Sequence, residues 1–402
     1  MAPKAAVIAL IAVGMLLVLS DGQKQFHDIC DQVHGALGYP CEHNIMTTDD
    51  GFELDVIHIP APSNGSGYPV ILQHGLLDDA ITWVANYFPH QNLACLLHDA
   101  GYDVWMPNSR GNHYSMGNTK YLQSESTYWR RIDMDGMAKY DLPTVINGVL
   151  NRTGKSSLTY VGHSQGTWMA FSAFGNVHPH LASKVDLFVG LAPVAYVAHT
   201  TSFLVTLLAD LDVGGILELF GDKDFLANDW LINQFAKYCK DLGELCPDFV
   251  ELLCGDGNPA NTNRTQLGVI TRYDPGGTSV NNMVHWQQEV VNKDYAKHDY
   301  GLLENEKLYG QATAPRYHLS TMQGPPTALF SGSRDALADP TDVATLLADL
   351  PNSTVVQHTV IDDFAHLDFT WGLDAASKLY NPYVLPLIAQ YKGHQARSGR
   401  KP

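Results

Sequence analysis

The chain has 402 residues, of which 45% are hydrophobic and 17% charged. That supplies a large apolar core and excludes both a disordered chain and a small disulfide-held miniprotein. With 25 Lys+Arg against 42 Asp+Glu, the formal charge of −17 argues against a general nucleic-acid binder and against docking by charge to an anionic membrane, but leaves contact with lipid through apolar surface open.

In chain order, Lys4 precedes an apolar run from Ala5 to Leu19 that Ser20-Asp21-Gly22 ends. The run falls short of the about 20 residues a helix needs to cross a bilayer. A short basic start, an apolar middle and small polar residues afterwards describe a secretory signal peptide over residues 1–20. No later stretch approaches spanning length, so no transmembrane segment is expected in the mature chain. Ile45 to Ile59 reads as two antiparallel strands around Thr48-Asp49-Asp50-Gly51. Tyr68 to Gln73 reads as a strand running into His74-Gly75-Leu76-Leu77, and 90–100 as helical. Tyr102 to Met106 is the next strand, Met137 to Leu150 a helix despite Pro143, and Leu158 to Gly162 a strand followed by a helix over Gln165 to Gly175. Val185–Leu191, Pro326–Ser331 and Val355–Ile361 complete the strands. Such alternation of apolar runs and helical patterns predicts a mostly parallel sheet flanked by helices. Between about 195 and 318 the strand pattern stops, and it resumes near Gly324-Pro325-Pro326. We read 195–318 as a helical insertion within one α/β domain formed by 21–194 and 319–402.

An exported chain changes how cysteines and sequons read. In an oxidising compartment neighbouring cysteines pair. Cys30 and Cys41 would close a small loop, at most two of the clustered Cys239, Cys246 and Cys254 can pair with each other, and Cys95, in the apolar helical stretch Asn92–Leu97, reads as an inert buried thiol. No cysteine pair has the spacing of a zinc or thioredoxin motif, and no glycine-rich phosphate cradle opens a helix after the first strands, so neither a metal nor an organic cofactor is expected. Asn64, Asn151, Asn263 and Asn352 head Asn-x-Ser/Thr sequons and are candidate glycan sites on exposed loops.

The strongest chemical signal is Gly162-His163-Ser164-Gln165-Gly166, a glycine–x–serine–x–glycine pattern between a strand and a helix. Such a turn must be sharp to push the serine hydroxyl into the open, and flanking glycines remove side chains that would clash. A serine nucleophile needs a base, and the base an orienting carboxylate, in the chain order Ser, Asp/Glu, His. Eighteen histidines make identity uninformative, but position prunes them. Strand 326–331 runs into Asp335, and strand 355–361 into His366, both just past a strand's carboxyl end, where ligands gather on α/β sheets. Ser164, Asp335 and His366 are therefore the expected triad, with Asp339 and Asp363 as rivals for the acid. The backbone amides of Gln165, next after the nucleophile, and Leu76, in the loop after strand 68–73, are the expected oxyanion donors. His74 is expected to brace that loop, and His163 to be structural.

These residues, with Gly101-Tyr102-Asp103-Val104-Trp105, Asn108-Ser109-Arg110-Gly111-Asn112, Met137 to Pro143, Leu191-Ala192-Pro193-Val194-Ala195, Tyr273-Asp274, Asp335 to Pro340 and His366-Leu367-Asp368-Phe369, resemble the acid lipases, a family comprising gastric lipase, lysosomal acid lipase and their plant and insect relatives. The resemblance runs from about Gly38 to Tyr391. It implies an α/β-hydrolase fold with the same triad and oxyanion residues, and an insertion 195–318 acting as cap and lid, with Phe203–Leu208 and Gly215–Phe220 over the cleft. It also implies a Cys239–Cys246 disulfide with Cys254 free. Ala365 before the histidine, where many relatives have Asn, and the segment Cys30 to His43 are similar to the plant-type members. The implied activity is hydrolysis of neutral lipid esters, triacylglycerols and sterol esters, at a lipid–water interface, in a secreted or lysosomal/vacuolar enzyme. The alternatives are a carboxylesterase for short soluble esters and a non-catalytic lipid-binding protein. Present triad residues weigh against the second.

Overall fold

A computed structural model describes residues 27–202, 221–225, 261–262, 266, 270 and 272–395. The proposed signal peptide, the two proposed lid segments, Cys239, Cys246, Cys254 and Asn263 lie outside the described residues.

The strands are β1 (Glu42–Thr47), β2 (Phe52–Ile59), β3 (Tyr68–Gln73), β4 (Tyr102–Pro107), the two-residue β5 (Gly117–Asn118), β6 (Leu158–His163), β7 (Val185–Leu191), β8 (Asp224–Phe225), β9 (Thr278–Ser279), β10 (Thr327–Gly332) and β11 (Val355–Ile361). The main sheet runs β1-β2-β4-β3-β6-β7-β10-β11, with β5 on β2. The first hairpin and its junction to β4 are antiparallel, and every pair from β4 to β11 is parallel. Every residue of β3, β4, β6, β7 and β10 is buried, as strands covered on both faces must be. β11, at the edge, alternates in burial instead. Helices Leu93–Asp99, Leu142–Thr153, Gln165–Ser172, Pro340–Asp349 and Leu385–Tyr391 accompany the sheet. Pro143 is accommodated because the π turn Met137–Asp141 directly precedes its helix, where proline's missing N–H falls in the first turn.

β7 and β10 are hydrogen-bonded neighbours, with Thr327 opposite Phe188, so everything between Leu191 and Thr327 is interposed between adjacent strands of one sheet. That stretch is less purely helical than its sequence suggests. β8 and β9 pair in a short antiparallel ribbon, and an isolated bridge joins Ala296 to Arg316. Helix Val280–Asn292, capped by the Ser279 side chain, follows the ribbon and packs against the domain.

Parallel strands place their carboxyl ends on one edge, and the loops there are held by a buried charge network. Arg110, fully buried, forks onto Asp50 with Nη1–Oδ2 at 2.8 Å and Nη2–Oδ1 at 2.9 Å. Its Nε and Nη2 reach Asp141 Oδ1 at 2.8 and 2.7 Å, and Nη1 donates to the Arg131 carbonyl. The guanidinium thus ties the β1–β2 turn, the loop after β4 and the helix entering at Asp141. Cys30 and Cys41 form a disulfide at 2.03 Å, and Cys95 is a buried thiol whose pKa burial raises to about 12. Asn64, Asn151 and Asn352 are exposed.

Removing Arg110 leaves two buried carboxylates without their cation, the costly way to break such a network. Arg110→Ala is expected to lower unfolding stability by about 3–5 kcal/mol, measured by denaturant unfolding against an exposed-cation control, Lys307→Ala.

Candidate active site

β6 ends at His163, and the chain turns at Ser164 into helix Gln165–Ser172. Ser164 has φ 53° and ψ −120°, a strained backbone for a residue with a side chain. Both glycines of the motif are required by close approach. A Cβ at Gly162 would sit 2.8 Å from the Gly166 backbone, and one at Gly166 would sit 2.8 Å from the Gln73 carbonyl. Gly75 is the third such position, since a Cβ there would meet the Ser164 Cβ at 3.0 Å. The loop after β3 therefore lies directly against the serine.

Beyond β10, the chain reaches Asp335 with Ser333 N–H donating to the Ile361 carbonyl and Arg334 N–H to the Phe364 carbonyl. These bonds fasten the Asp335 loop to the loop carrying His366. His366 Nε2 lies 2.8 Å from Ser164 Oγ, and its Nδ1 lies 3.0 Å from both oxygens of Asp335. A carboxylate only accepts, so Nδ1 carries the proton and Nε2 is left to accept from the serine hydroxyl. Asp335 Oδ1 also accepts from the amides of Leu337 and Ala338, which fixes the carboxylate. All three side chains are buried. The rival acids go elsewhere: Asp339 caps helix Pro340–Asp349 through the Thr341 N–H, and Asp363 is bonded by the Arg334 guanidinium.

Gln165 is the first residue of its helix, so its N–H has no acceptor within that helix. Leu76 is half-buried in the loop against Ser164. His74 bridges this loop to the next, with Nδ1 donating to the Gly75 carbonyl and Nε2 accepting from Ser109 N–H. Burial lowers its pKa to about 4, so it is neutral and keeps the lone pair that the Ser109 amide needs. His163 Nε2 donates to the His366 carbonyl at 2.9 Å. Burial and the neighbouring His366 push its pKa down to about 3.

Three supports were not legible in the motifs. Gln165 Oε1 accepts from Asn282 Nδ2 at 3.0 Å and Trp286 Nε1 at 2.8 Å, both on helix Val280–Asn292 of the insertion. Asp368 accepts from Ala365 N–H and from Asn261 Nδ2, steadying the turn before His366. Trp168, on the helix after the serine, donates to buried Glu289. Each joins residues over a hundred positions apart, apart from the local Asp368–Ala365 bond. Asn282 and its neighbours on helix Val280–Asn292, where polar and apolar residues mix, carry no local signal that would have singled them out.

The comparisons with known proteins concern the family and the fold. A family model for the alpha/beta hydrolase fold matches residues 68–373, and one for a partial alpha/beta-hydrolase lipase region matches 30–87. The chain is 41% identical over 365 residues to human lysosomal acid lipase/cholesteryl ester hydrolase, covering 88% of this chain and 89% of the relative. It belongs to the acid lipase family of α/β hydrolases. Human gastric triacylglycerol lipase, another family member, is 40% identical over 357 residues, covering 86% and 87%. Among solved structures, a soluble variant of monoglyceride lipase from Saccharomyces cerevisiae with a substrate analogue matches with TM-score 0.53 at 13% identity, over 89% of this chain and 98% of that one. At that identity the last likeness speaks to the acid lipase's fold alone.

Trp286→Phe keeps an aromatic ring, though a smaller one, and deletes one donor to Gln165. Loss of one such bond, about 1 kcal/mol, predicts a roughly fivefold lower kcat with KM little changed. Steady-state kinetics on a soluble ester, with wild-type unfolding stability as control, would check it.

Proposed function

We propose that this acid lipase hydrolyses carboxylic esters of neutral lipids through an acyl-enzyme on Ser164. The observation that carries the reading is the continuous chain Ser164 Oγ–His366 Nε2, His366 Nδ1–Asp335. His366 takes the hydroxyl proton as Ser164 Oγ attacks the ester carbonyl. The amides of Gln165 and Leu76 receive the developing oxyanion. His366 then gives its proton to the leaving alcohol. Water attacks the acyl-enzyme with His366 again as base, which frees the fatty acid and restores Ser164.

The relatives named for triacylglycerol and cholesteryl ester hydrolysis support neutral lipids as the substrate class. We read 195–318 as a cap over the cleft, since this stretch is inserted between β7 and β10 and its helix Val280–Asn292 holds Gln165. The apolar segments 203–208 and 215–220 belong to that reading as the lid facing lipid. Passage through the secretory pathway is supported by the character of residues 1–20, the Cys30–Cys41 disulfide and the lysosomal and gastric relatives. Among the described residues, no helix is long and apolar enough to cross a membrane.

The decisive measurement is fatty-acid release from emulsified trioleoylglycerol and cholesteryl oleate, wild type beside Ser164→Ala. We expect release by the wild type and a loss of at least ~10³-fold in the variant. Turnover confined to short soluble esters would overturn the lipid assignment, and undiminished release by Ser164→Ala would overturn the mechanism.

A further inference from the structure

Behind the loop that carries Leu76 lie three buried carboxyl groups that the reaction does not use. Asp78 and Asp79 follow Leu76-Leu77 directly, and Asp274 arrives from the insertion. Their side chains are at least nine-tenths buried. Asp78 shapes the turn, accepting from Asp79 N–H at 2.9 Å and, more distantly, from Gly75 N–H at 3.5 Å. Asp79 caps the next helical turn by accepting from Ile81 N–H at 2.7 Å, and leaves its second oxygen without a hydrogen-bond donor. Neither oxygen of Asp274 has a well-formed donor. The adjacent Gly276 N–H is spent on the Leu77 carbonyl at 2.6 Å. The Asp274 carboxyl instead lies close to those of Asp78 and Asp79, residues against which Gly276, two positions on, packs.

Two carboxyl groups attract each other only when one holds a proton, because two carboxylates offer acceptors and like charge. The surroundings supply little to neutralise a full set of charges. Among the described residues, no Lys or Arg nitrogen lies within 4.0 Å of these carboxylates, and the sole ion-pair contact is His113 Nε2 at 3.9 Å from Asp79. From the loop after β4 the cluster also faces Tyr114, whose hydroxyl donates to the His27 carbonyl. Tyr273 and Arg272 flank Asp274, Asp28 and Asp31 approach from the amino-terminal segment, and neutral His74 lies on the loop itself. Burial first, then mutual repulsion, raises the carboxyls of Asp79 and Asp274, and burial raises that of Asp78.

This close approach also fixes geometry. Leu77 sits at φ 61°, a left-handed backbone that costs energy for a leucine and persists only if its neighbours hold it. Its carbonyl is held by Gly276, where a Cβ would come within 2.7 Å of the Asp78 carbonyl. The Gly276 carbonyl in turn accepts from His113 N–H at 3.0 Å. Asp274 thus brings the insertion, and Asp78 the loop, into one seam.

We propose that Asp78, Asp79 and Asp274 are positioning residues that hold the oxyanion loop in its working shape through a proton shared between the loop and the insertion. This rests on Leu76 acting as an oxyanion donor. When the proton is shared, the seam is closed and the Leu76 amide is presented beside Ser164. When it is lost, repulsion opens the seam and adds negative charge behind a site that must stabilise an oxyanion. The sign follows from linkage. An acid whose folded pKa is raised contributes stability fully present below its unfolded value, near 4, and lost as pH rises through the raised value. The seam is therefore strongest on the acid side and weakens with rising pH.

The test compares wild type, Asp274→Asn, Asp78→Asn and Asp274→Ala, by kcat against pH from 5 to 9 on a short soluble ester and by thermal midpoint over the same range. Asparagine carries a permanent N–H donor, so it replaces the shared proton without titrating. We expect wild-type kcat to fall at least tenfold between pH 6 and pH 9, and the fall in Asp274→Asn to shrink below threefold. Asp274→Ala should be slow at every pH, and KM should move little throughout. The thermal midpoint of the wild type should drop with pH relative to that of Asp274→Asn. Equal alkaline limbs in the wild type and both asparagine variants would overturn the proposal while leaving the serine hydrolase intact, provided Ser164→Ala stays inactive. No turnover by wild type at any pH would sink the catalytic reading instead. The seam would then be judged on unfolding alone, where parallel midpoint curves overturn it and diverging ones support it.

Discussion

The arrangement depends on one strained turn. Ser164 holds a backbone conformation that costs of order 1–3 kcal/mol, and it does so between a fully buried strand and a fully buried helix. Both flanks are fixed by sheet pairing and packing, so the turn between them cannot relax. The Ser164 N–H donates to the Leu191 carbonyl, which ties the turn to β7 as well. Close approach is the second half of the constraint. Gly162 and Gly166 let the two arms of the elbow and the end of β3 approach more closely than a side chain allows, and at Gly75 a side chain would crowd the serine itself. The hydroxyl's position is thus set by the main chain, and the histidine and aspartate need only be delivered to it.

Delivery is a tertiary matter. Asp335 and His366 sit on successive loops past β10 and β11, joined by backbone bonds, and a side chain at Gly332 would run into the Phe364 carbonyl between them. His163 holds the His366 carbonyl and Asp368 holds the amide of Ala365, so the base is anchored from both sides of its own residue. The oxyanion side is built differently. Its proposed donors are the backbone amides of Gln165 and Leu76; the elbow and His74 fix them from within the sheet domain, and the insertion adds Asn282 and Trp286 on the Gln165 side chain and Gly276 on the Leu77 carbonyl. Buried polar groups that satisfy one another in this way specify a single arrangement more sharply than apolar packing does.

This division explains how much of the site the sequence revealed. The elbow was legible because its constraint is local: a strand, two glycines and a helix within a dozen residues. Asp335 could be separated from Asp339 and Asp363 because a strand's end is legible, and the carboxyl edge of a parallel sheet is where such groups collect. Asp339 reads differently in hindsight, as a helix cap followed by Pro340. The order β2-β4-β3-β6 was not legible, since strand pairing is decided by crossovers that leave no residue signature. Nor was the ribbon of β8 and β9, two residues each, within a stretch whose composition reads as helical. Asn282, Trp286 and Asp274 were opaque for the same reason. Each is an unremarkable residue until the fold places it against Gln165 or Asp78.

The two halves of the site therefore differ in how much of the insertion they touch. Ser164, Asp335 and His366 follow β6, β10 and β11, whose pairing in the sheet holds them, and Asn261 of the insertion adds a bond to Asp368 beside His366. The Gln165 side chain and the Leu76 loop also touch a segment inserted between β7 and β10, through Asn282, Trp286 and Gly276. An insertion that moves for access to lipid would pull on Gln165 and on the Leu76 loop together, because both are held by the same stretch, 274–286. On the proposed function, covering the cleft and assembling the oxyanion donors would then be one physical event. On that reading, such coupling would confine full reactivity to the arrangement in which the insertion is seated, with Ser164, His366 and Asp335 already aligned in the buried core.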